Sequence, residues 1–232
     1  MARALKGKTR NRNKFKFKWT KELIFLLIGL AICIGLMIFC LIPTRAQKFY
    51  SKWHSDDNNL ESTNVFEEIS YKNLKKKIEK GERVYVYYAT ESDETSVTNI
   101  GTLDYYTNKH EKENDATHYS VDKIYVYNAK EAYNLDSDDD DAVAKLDEKE
   151  DYINSLRDKD KNTGLAIEEI SLSTYSQLWI FDEGKLVFSS ETLVSDEQAS
   201  DQGIGFRTSC VRFLSYYLNE SDADYKYESS SK

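Results

Sequence analysis

The longest hydrophobic stretch of the chain is twenty apolar residues in succession, LIFLLIGLAICIGLMIFCLI, at positions 23–42. A helix of this length spans about 30 Å, the thickness of a bilayer core. The run has no polar face, it is longer than the apolar part of a signal peptide, and no small-x-small cleavage site follows it. It therefore predicts an uncleaved transmembrane helix, which ends at Pro43.

Beyond the apolar run, the pattern changes twice. Residues 43–64 are polar, with few apolar positions, and are predicted to form a stalk. From residue 65 to residue 219, short apolar runs alternate with polar segments, which predicts one folded domain. The tail over 220–232 is rich in serine and aspartate and is predicted to be disordered.

Within the domain, the pattern predicts both helices and strands. The runs RVYVYYAT and DKIYVYNA predict two buried strands, and SQLWIFDEGKLVFSSE predicts a hairpin. Apolar residues at helical spacing predict an opening helix that stops at Gly81. These residues are Phe66, Ile69, Leu74 and Ile78. Further helices are predicted over 92–111, 147–158 and 206–219. This order predicts an α/β fold with a mixed sheet flanked by helices.

Charge is divided sharply between the two ends of the chain. Nine Lys/Arg and one Glu give residues 1–22 a charge of +8, and the −8 of the whole chain leaves −16 for the rest. The positive-inside rule then predicts a cytoplasmic N-terminus and an extracellular C-terminal domain. The basic arm, 1–22, carries interleaved aromatic residues and could grip nucleic acid. The favoured interpretation is that the arm sets the membrane topology and is attracted to anionic lipid headgroups, and no nucleic-acid partner is predicted.

The outer domain carries one cysteine. Cys33 and Cys40 lie in the apolar run, whereas Cys210 lies alone in the last predicted helix. No disulfide can therefore form within the outer domain. Cys210 is either a small core residue or the thiol of an intermolecular disulfide.

The order of elements, with VYVYYATESDETS, KIYVYNA and QLWIFDEGKLV, resembles a thioredoxin-like domain over 65–219. It is most similar to the membrane-anchored, extracytoplasmic kind that includes bacteriocin-transport accessory proteins of Gram-positive bacteria. The resemblance implies a Cys-x-x-Cys at a helix N-terminus and a cis-proline before the hairpin.

The residues at those family positions are different in this chain. The cysteine positions fall on Ser92 and Thr95, with Asp93 and Glu94 between them, and the proline position falls near Ser176. Hydroxyl groups cannot carry out thiol–disulfide exchange, so the resemblance implies a fold that has lost this activity. The segment either caps a helix through Ser92 or Asp93, or contacts a partner or a metal.

A second candidate site is the segment DKDKNTGLAIEE, which is similar to a calcium loop. Asp158, Asp160, Asn162 and Glu169 occupy relative positions 1, 3, 5 and 12, as an EF-hand requires. Gly164, however, falls at position 7 instead of 6. The alternatives are a calcium site and a solvated helix end. The acidic run over 136–151 is predicted to be a solvated loop, with weak ion binding or a basic partner as alternatives.

The sequence gives little indication of a zinc site or of catalysis. His54, His110 and His118 are scattered, so a zinc site would need carboxylates as well. No nucleophile or phosphate-loop motif is present, and no enzyme activity or cofactor is predicted. We expect a single-pass membrane protein whose outer domain is an interaction or accessory module of an export, secretion or cell-surface assembly. The alternatives are a thiol-redox protein acting through Cys210 and a calcium-responsive module using 158–169.

Overall fold

The computed structural model describes residues 20–56, 58–107, 121–191 and 205–217, without the side chains of 38–41. The chain divides into two compact units, Met1–Pro43 and Thr44–Lys232. Residues 1–19 of the predicted basic arm and the whole of the predicted tail over 220–232 lie outside the described residues.

The first unit contains one helix, α1, at Lys21–Leu41. Its described apolar side chains are largely exposed, with Phe25 at 73% and Leu26 at 64%. Within the described part of the chain, no helix combines the length and the hydropathy needed to cross a membrane.

The second unit contains five strands and six helices in its described residues. In chain order they are α2 (Arg45–Trp53), β1 (Phe66–Ile69), α3 (Tyr71–Glu79), β2 (Val84–Ala89), α4 (Glu94–Thr107), β3 (Ile124–Asn128), α5 (Lys130–Tyr133), α6 (Asp140–Ser155), β4 (Gln177–Asp182), β5 (Lys185–Ser189) and α7 (Gly205–Ser215).

The strands form one mixed sheet in the order β1-β3-β2-β4-β5. Strands β1, β2 and β3 are parallel, while β4 is antiparallel to both β2 and β5. Alternate residues of β2 enter two separate hydrophobic clusters: Tyr87 packs with α4 and α7, and Val86 packs with α3 and α6. This arrangement confirms the predicted α/β class with helices on both faces of a mixed sheet.

The hairpin follows directly from its sequence. Glu183 and Gly184 both have positive φ, +51° and +77°, as a two-residue turn of the primed type requires. All six residues of β4 are buried, because the sheet is covered on both faces. The predicted hairpin, the strands β2 and β3, and the helices α4 and α7 are thus confirmed within the described residues.

The opening helix was predicted wrongly, because its first turn is a strand. Phe66–Ile69 forms β1 and pairs in parallel register with β3, with Phe66 opposite Ile124. Helix α3 starts only at Tyr71. A spacing of three residues between Phe66 and Ile69 suits either structure, and the available partner strand decides between them.

The predicted stalk also differs from the structure, because residues from Thr44 onward belong to the globular unit. Thr44 caps α2 in a reciprocal capping box with Gln47. Phe49 and Trp53 stack with ring centroids 5.4 Å apart and are buried in the same cluster as β1. The few apolar residues of this segment lie on one side of α2, which suffices to attach it to the domain.

The acidic run over 136–151 also differs from its prediction as a solvated loop. Helix α6 begins at Asp140, seven residues earlier than predicted, and the Asp139 side chain accepts a hydrogen bond from the backbone N–H of Ala142. Carboxylates in a first helical turn are favoured by the positive end of the helix dipole. Part of the predicted loop is therefore a helix N-terminus.

The outer edge of β5 is occupied. The N–H of Leu186 donates to the carbonyl of Leu156, and the N–H of Asp158 donates to the carbonyl of Leu186. The segment after α6 thus runs beside β5 and satisfies backbone groups at this edge of the sheet.

Candidate functional site

The residues that follow β2 form the N-terminus of α4. Asp93 precedes the helix, and its Oδ2 accepts a hydrogen bond from the backbone N–H of Ser96 at 2.7 Å. This is the geometry of a helix cap. The carboxylate of Asp93 is thus engaged in local structure, while Ser92, Glu94 and Thr95 are exposed.

Ser176 lies directly before β4 and is tied to both β2 and α4. Its Oγ lies 2.8 Å from the hydroxyl of Tyr87 and accepts a hydrogen bond from Nδ2 of Asn99 at 2.7 Å. The Tyr87 hydroxyl also donates to the carbonyl of Ser96 at 2.9 Å. These bonds join three elements that are far apart in sequence.

The backbone at Ser176 is in an unusual conformation. Its φ is +68°, which lies in the left-handed region that residues other than glycine seldom adopt. No cis peptide bond occurs among the described residues, so the cis-proline of the family pattern has no structural counterpart in them. The hydrogen bonds that Ser176 makes with Asn99 and Tyr87 offset the strain and hold its hydroxyl in place.

Tyr87 and Ser96 place two buried, uncharged hydroxyl groups in the interior of the site. Burial raises the pKa of Tyr87 far above its ordinary value, which outweighs the opposite effect of the hydrogen bond with Ser176, so the phenol keeps its proton. The Ser96 hydroxyl is also fully buried and bonds to no described residue. Neither hydroxyl donates a hydrogen bond to a carboxylate or an imidazole of a described residue, so neither is activated as a nucleophile in this arrangement.

Two tyrosines lie beside this network on the surface. The Tyr133 and Tyr175 rings are 5.6 Å apart, and Tyr133 is 43% exposed. Burial, together with the negative charge of Asp93, raises the pKa of Tyr175. We call the surface of Ser92, Asp93, Thr95, Tyr133 and Tyr175 the β2–α4 surface.

The cysteine of the domain cannot act in place of the missing pair. Cys210 lies in α7 with no exposed surface, and burial raises the pKa of its thiol well above the ordinary value. A thiol must become an accessible thiolate to exchange disulfides. The placement favours the core role and opposes the intermolecular disulfide.

The calcium-loop residues are used for structure. Oδ1 of Asp160 accepts hydrogen bonds from the N–H groups of Asn162 and Thr163, and its Oδ2 lies 3.4 Å from the Arg212 guanidinium. Asn162 donates to the carbonyl of Tyr216. These contacts fasten the loop to α7.

The remaining candidate metal ligands also do not form a metal site among the described residues. Asp158 accepts a hydrogen bond from the next backbone N–H, and Glu169 is exposed. Among the described residues, no three His, Cys, Asp or Glu side chains form a group that could hold a metal ion. His54 stacks on Tyr50 at 4.4 Å, and His110 and His118 lie outside the described residues.

The residues of the candidate site that the sequence did not indicate are Tyr87, Ser96 and Asn99. Tyr87 belongs to a strand of alternating tyrosines and valines, so nothing distinguishes it from an ordinary core residue. Asn99 is a polar residue within a predicted helix. Their roles arise only when Ser176 is placed opposite them by the antiparallel pairing of β4 with β2.

Comparison with known proteins reveals no relative, since no family model, curated protein or solved structure matches the chain significantly. The chemistry of the β2–α4 surface is therefore the guide to function.

Proposed function

We propose that this chain is a single-pass membrane protein whose extracytoplasmic domain is thioredoxin-like, redox-inactive and used as an interaction or accessory module. Its setting would be an export, secretion or cell-surface assembly. The observation that carries the proposal is the β2–α4 surface, where a folded scaffold presents aromatic and polar side chains but neither a thiol nor an activated nucleophile.

The strand order supports a thioredoxin-like arrangement. A sheet of order β1-β3-β2-β4-β5, with three parallel strands and a terminal antiparallel hairpin, is compatible with that fold. In such a fold the turn after β2 and the residue before β4 face each other. Here the two sides are Asp93 with Ser96 and Ser176, joined through Tyr87.

Two observations support membrane anchorage. The run over 23–42 contains no charged residue, and the described apolar side chains of α1 are exposed, as expected for a helix whose surroundings are lipid. The +8 charge of residues 1–22 supports a cytoplasmic N-terminus, which leaves the acidic domain outside.

The kind of partner follows from the composition of the surface. Tyrosines contribute apolar area with a hydrogen-bonding tip, and exposed hydroxyl groups such as Thr95 adapt to polar partners. Because folds often persist after their chemistry is lost, a binding surface is the simplest use for this scaffold.

Site-specific photocrosslinking in intact cells tests the proposal. A photoreactive residue at Thr95 is expected to give a discrete adduct with a membrane or surface protein, whereas one at the exposed Lys145 of α6 is expected to give none. The adduct at Thr95 should weaken when Tyr133 is replaced by alanine. Equal labelling from both positions, or none from Thr95, contradicts a partner at this surface.

The redox-inactive part of the proposal has its own test. The purified chain is expected not to reduce insulin disulfides, because its described thiols include no accessible pair. A rate above that of a Cys210→Ser variant would contradict the assignment. Calcium should leave the melting temperature unchanged, and a calcium-dependent increase would revive the loop over 158–169.

A further inference from the structure

A basic groove crosses the domain between α2, β1 and α3. Its volume is about 370 Å³. The basic side chains that line it are Arg45, Lys76, Lys77, Lys80 and Lys123. Lys48 and Lys52 line an adjoining depression that shares Arg45.

The groove is positive on a domain that is strongly negative. Residues 43–232 carry −16, yet seven basic residues gather here with three carboxylates, those of Glu67, Glu68 and Glu82. Basic side chains that cluster on an otherwise acidic domain repel one another, and a purely structural role does not require such a cluster. An anionic partner would relieve it.

Internal ion pairs neutralise only part of the cluster. Glu67 pairs with Arg45 and Lys123, and Glu82 pairs with Lys77 and Lys80. Lys48 and Lys76 are exposed and form no ion pair with any described residue. These two ammonium groups are thus the ones best placed to meet an external anion.

The position of α2 in the chain indicates what that anion is. Arg45 follows Pro43 by two residues, so the groove begins where the apolar run ends. Arg45, Lys48 and Lys52 recur at helical spacing along one side of α2, next to the face that buries Phe49 and Trp53. Three residues of chain, from Ile42 to Arg45, span at most about 11 Å, which is close to the Debye length of about 8–10 Å over which charges interact.

We propose that the basic groove binds anionic phospholipid headgroups of the membrane that holds the chain. The inference rests on the membrane anchorage proposed above. Without such a face, an acidic domain on a short tether would be repelled by an anionic bilayer and would have no fixed orientation. With it, the side of α2 and α3 turns toward the lipid.

Lysine footprinting of the full chain in nanodiscs tests the proposal. The chain is placed in discs of phosphatidylcholine alone and in discs that also contain phosphatidylglycerol, and acetylation of each lysine is followed by mass spectrometry. Acetylation of Lys48, Lys76 and Lys80 should slow about fivefold in the anionic discs, and high salt should abolish the difference. Lys145, Lys159 and Lys185, which lie outside the groove, serve as internal controls.

A pair of charge-matched variants gives a second readout. The variant K48E/K76E/K80E should lose the protection of Lys52 and Lys123 in anionic discs. The variant K145E/K159E/K185E changes the net charge equally and should retain it. Loss of protection in both variants would indicate a general charge effect and would overturn the groove as the binding face.

The outcomes separate this inference from the anchor on which it rests. A chain that enters both kinds of disc but shows equal acetylation overturns the groove proposal alone. A chain that enters neither disc overturns the anchor and the groove proposal together. Equal protection by inorganic phosphate added to phosphatidylcholine discs would indicate a soluble-anion site and would also overturn binding to lipid.

Discussion

The hydroxyl of Tyr87, in the middle of β2, lies 2.8 Å from Oγ of Ser176, the residue that precedes β4. The two residues are 89 positions apart in sequence, and Ser176 has a φ of +68°. A fully buried phenol thus holds a strained backbone position at the candidate site. The stability of the domain and the shape of the β2–α4 surface should therefore depend on this contact.

Replacing Tyr87 with phenylalanine removes the hydroxyl and leaves the ring. The Ser96 carbonyl and the Ser176 hydroxyl lose a partner, which should lower the free energy of unfolding by about 1–2 kcal/mol. Urea unfolding followed by circular dichroism measures the change. The control is Tyr85→Phe, since Tyr85 is only half-buried and its change should cost less than about 0.5 kcal/mol. Equal midpoints for the two variants would contradict the role of Tyr87.

Two substitutions at Ser176 separate the contribution of its hydroxyl to stability from the cost of its backbone strain. Alanine loses the hydrogen bonds to Tyr87 and Asn99 and keeps the unfavourable φ. Glycine loses the same bonds but adopts positive φ freely. Ser176→Gly should therefore be more stable than Ser176→Ala by about 1 kcal/mol, measured by thermal or urea unfolding. The reverse order would show that the backbone at this position is not strained.

Gly101 tests whether the segment after α2 belongs to the domain. A Cβ at this position of α4 would lie 1.5 Å from the carbonyl oxygen of Asn58, so Gly101→Ala should destabilise the domain by at least about 2 kcal/mol. Gly205 begins α7, and no described atom beyond its chain neighbours lies within 4 Å of its Cβ position, so Gly205→Ala should be neutral or slightly stabilising. Denaturant midpoints compare the two. Similar small effects would support a free stalk over 43–64.

Asp182 should make the domain sensitive to acid. Its burial would raise the pKa of the carboxyl, but a 2.5 Å hydrogen bond from Tyr217 and the nearby guanidinium of Arg83 outweigh burial and lower the pKa. A depressed pKa in the folded state adds stability that is present above the unfolded value, about 3.9, and lost as the pH falls through the folded value.

The variant Asp182→Asn lacks this titration. The wild-type protein should therefore lose more unfolding free energy than the variant between about pH 5 and pH 2, although the variant is less stable at neutral pH. Asp151→Asn, on the exposed side of α6, controls for the removal of one negative charge. Parallel pH profiles for the wild type and Asp182→Asn would contradict the assignment.

The fold could be predicted from the sequence wherever local composition decides the structure. Strands β2 and β3 and the hairpin are dense in β-branched and aromatic residues, and Gly184 marks the turn. Strand β1 could not be predicted, because four residues carry too little signal and β3, which pairs with them, lies more than fifty residues away. The attachment of α2 rests on Phe49 and Trp53, too few apolar residues to stand out in a polar segment.

The candidate site was predictable only in outline. The resemblance to a thioredoxin-like domain singled out Ser92, Asp93 and Ser176, and the absence of a cysteine pair was plain from the sequence. The network through Tyr87 and Asn99 was not, because it depends on which face of β2 meets α4 and on a positive φ at Ser176. Such features are set by tertiary packing rather than by residue preference.

The hydrogen bonds between Leu186 and the chain at Leu156 and Asp158 bear on how copies of this protein behave when crowded. An open strand edge is a template for a neighbouring chain. The outward-facing N–H and C=O groups of Leu186 are already bonded, so this position of β5 does not offer such a template. Another molecule can extend the sheet at Leu186 only after displacing the segment that follows α6.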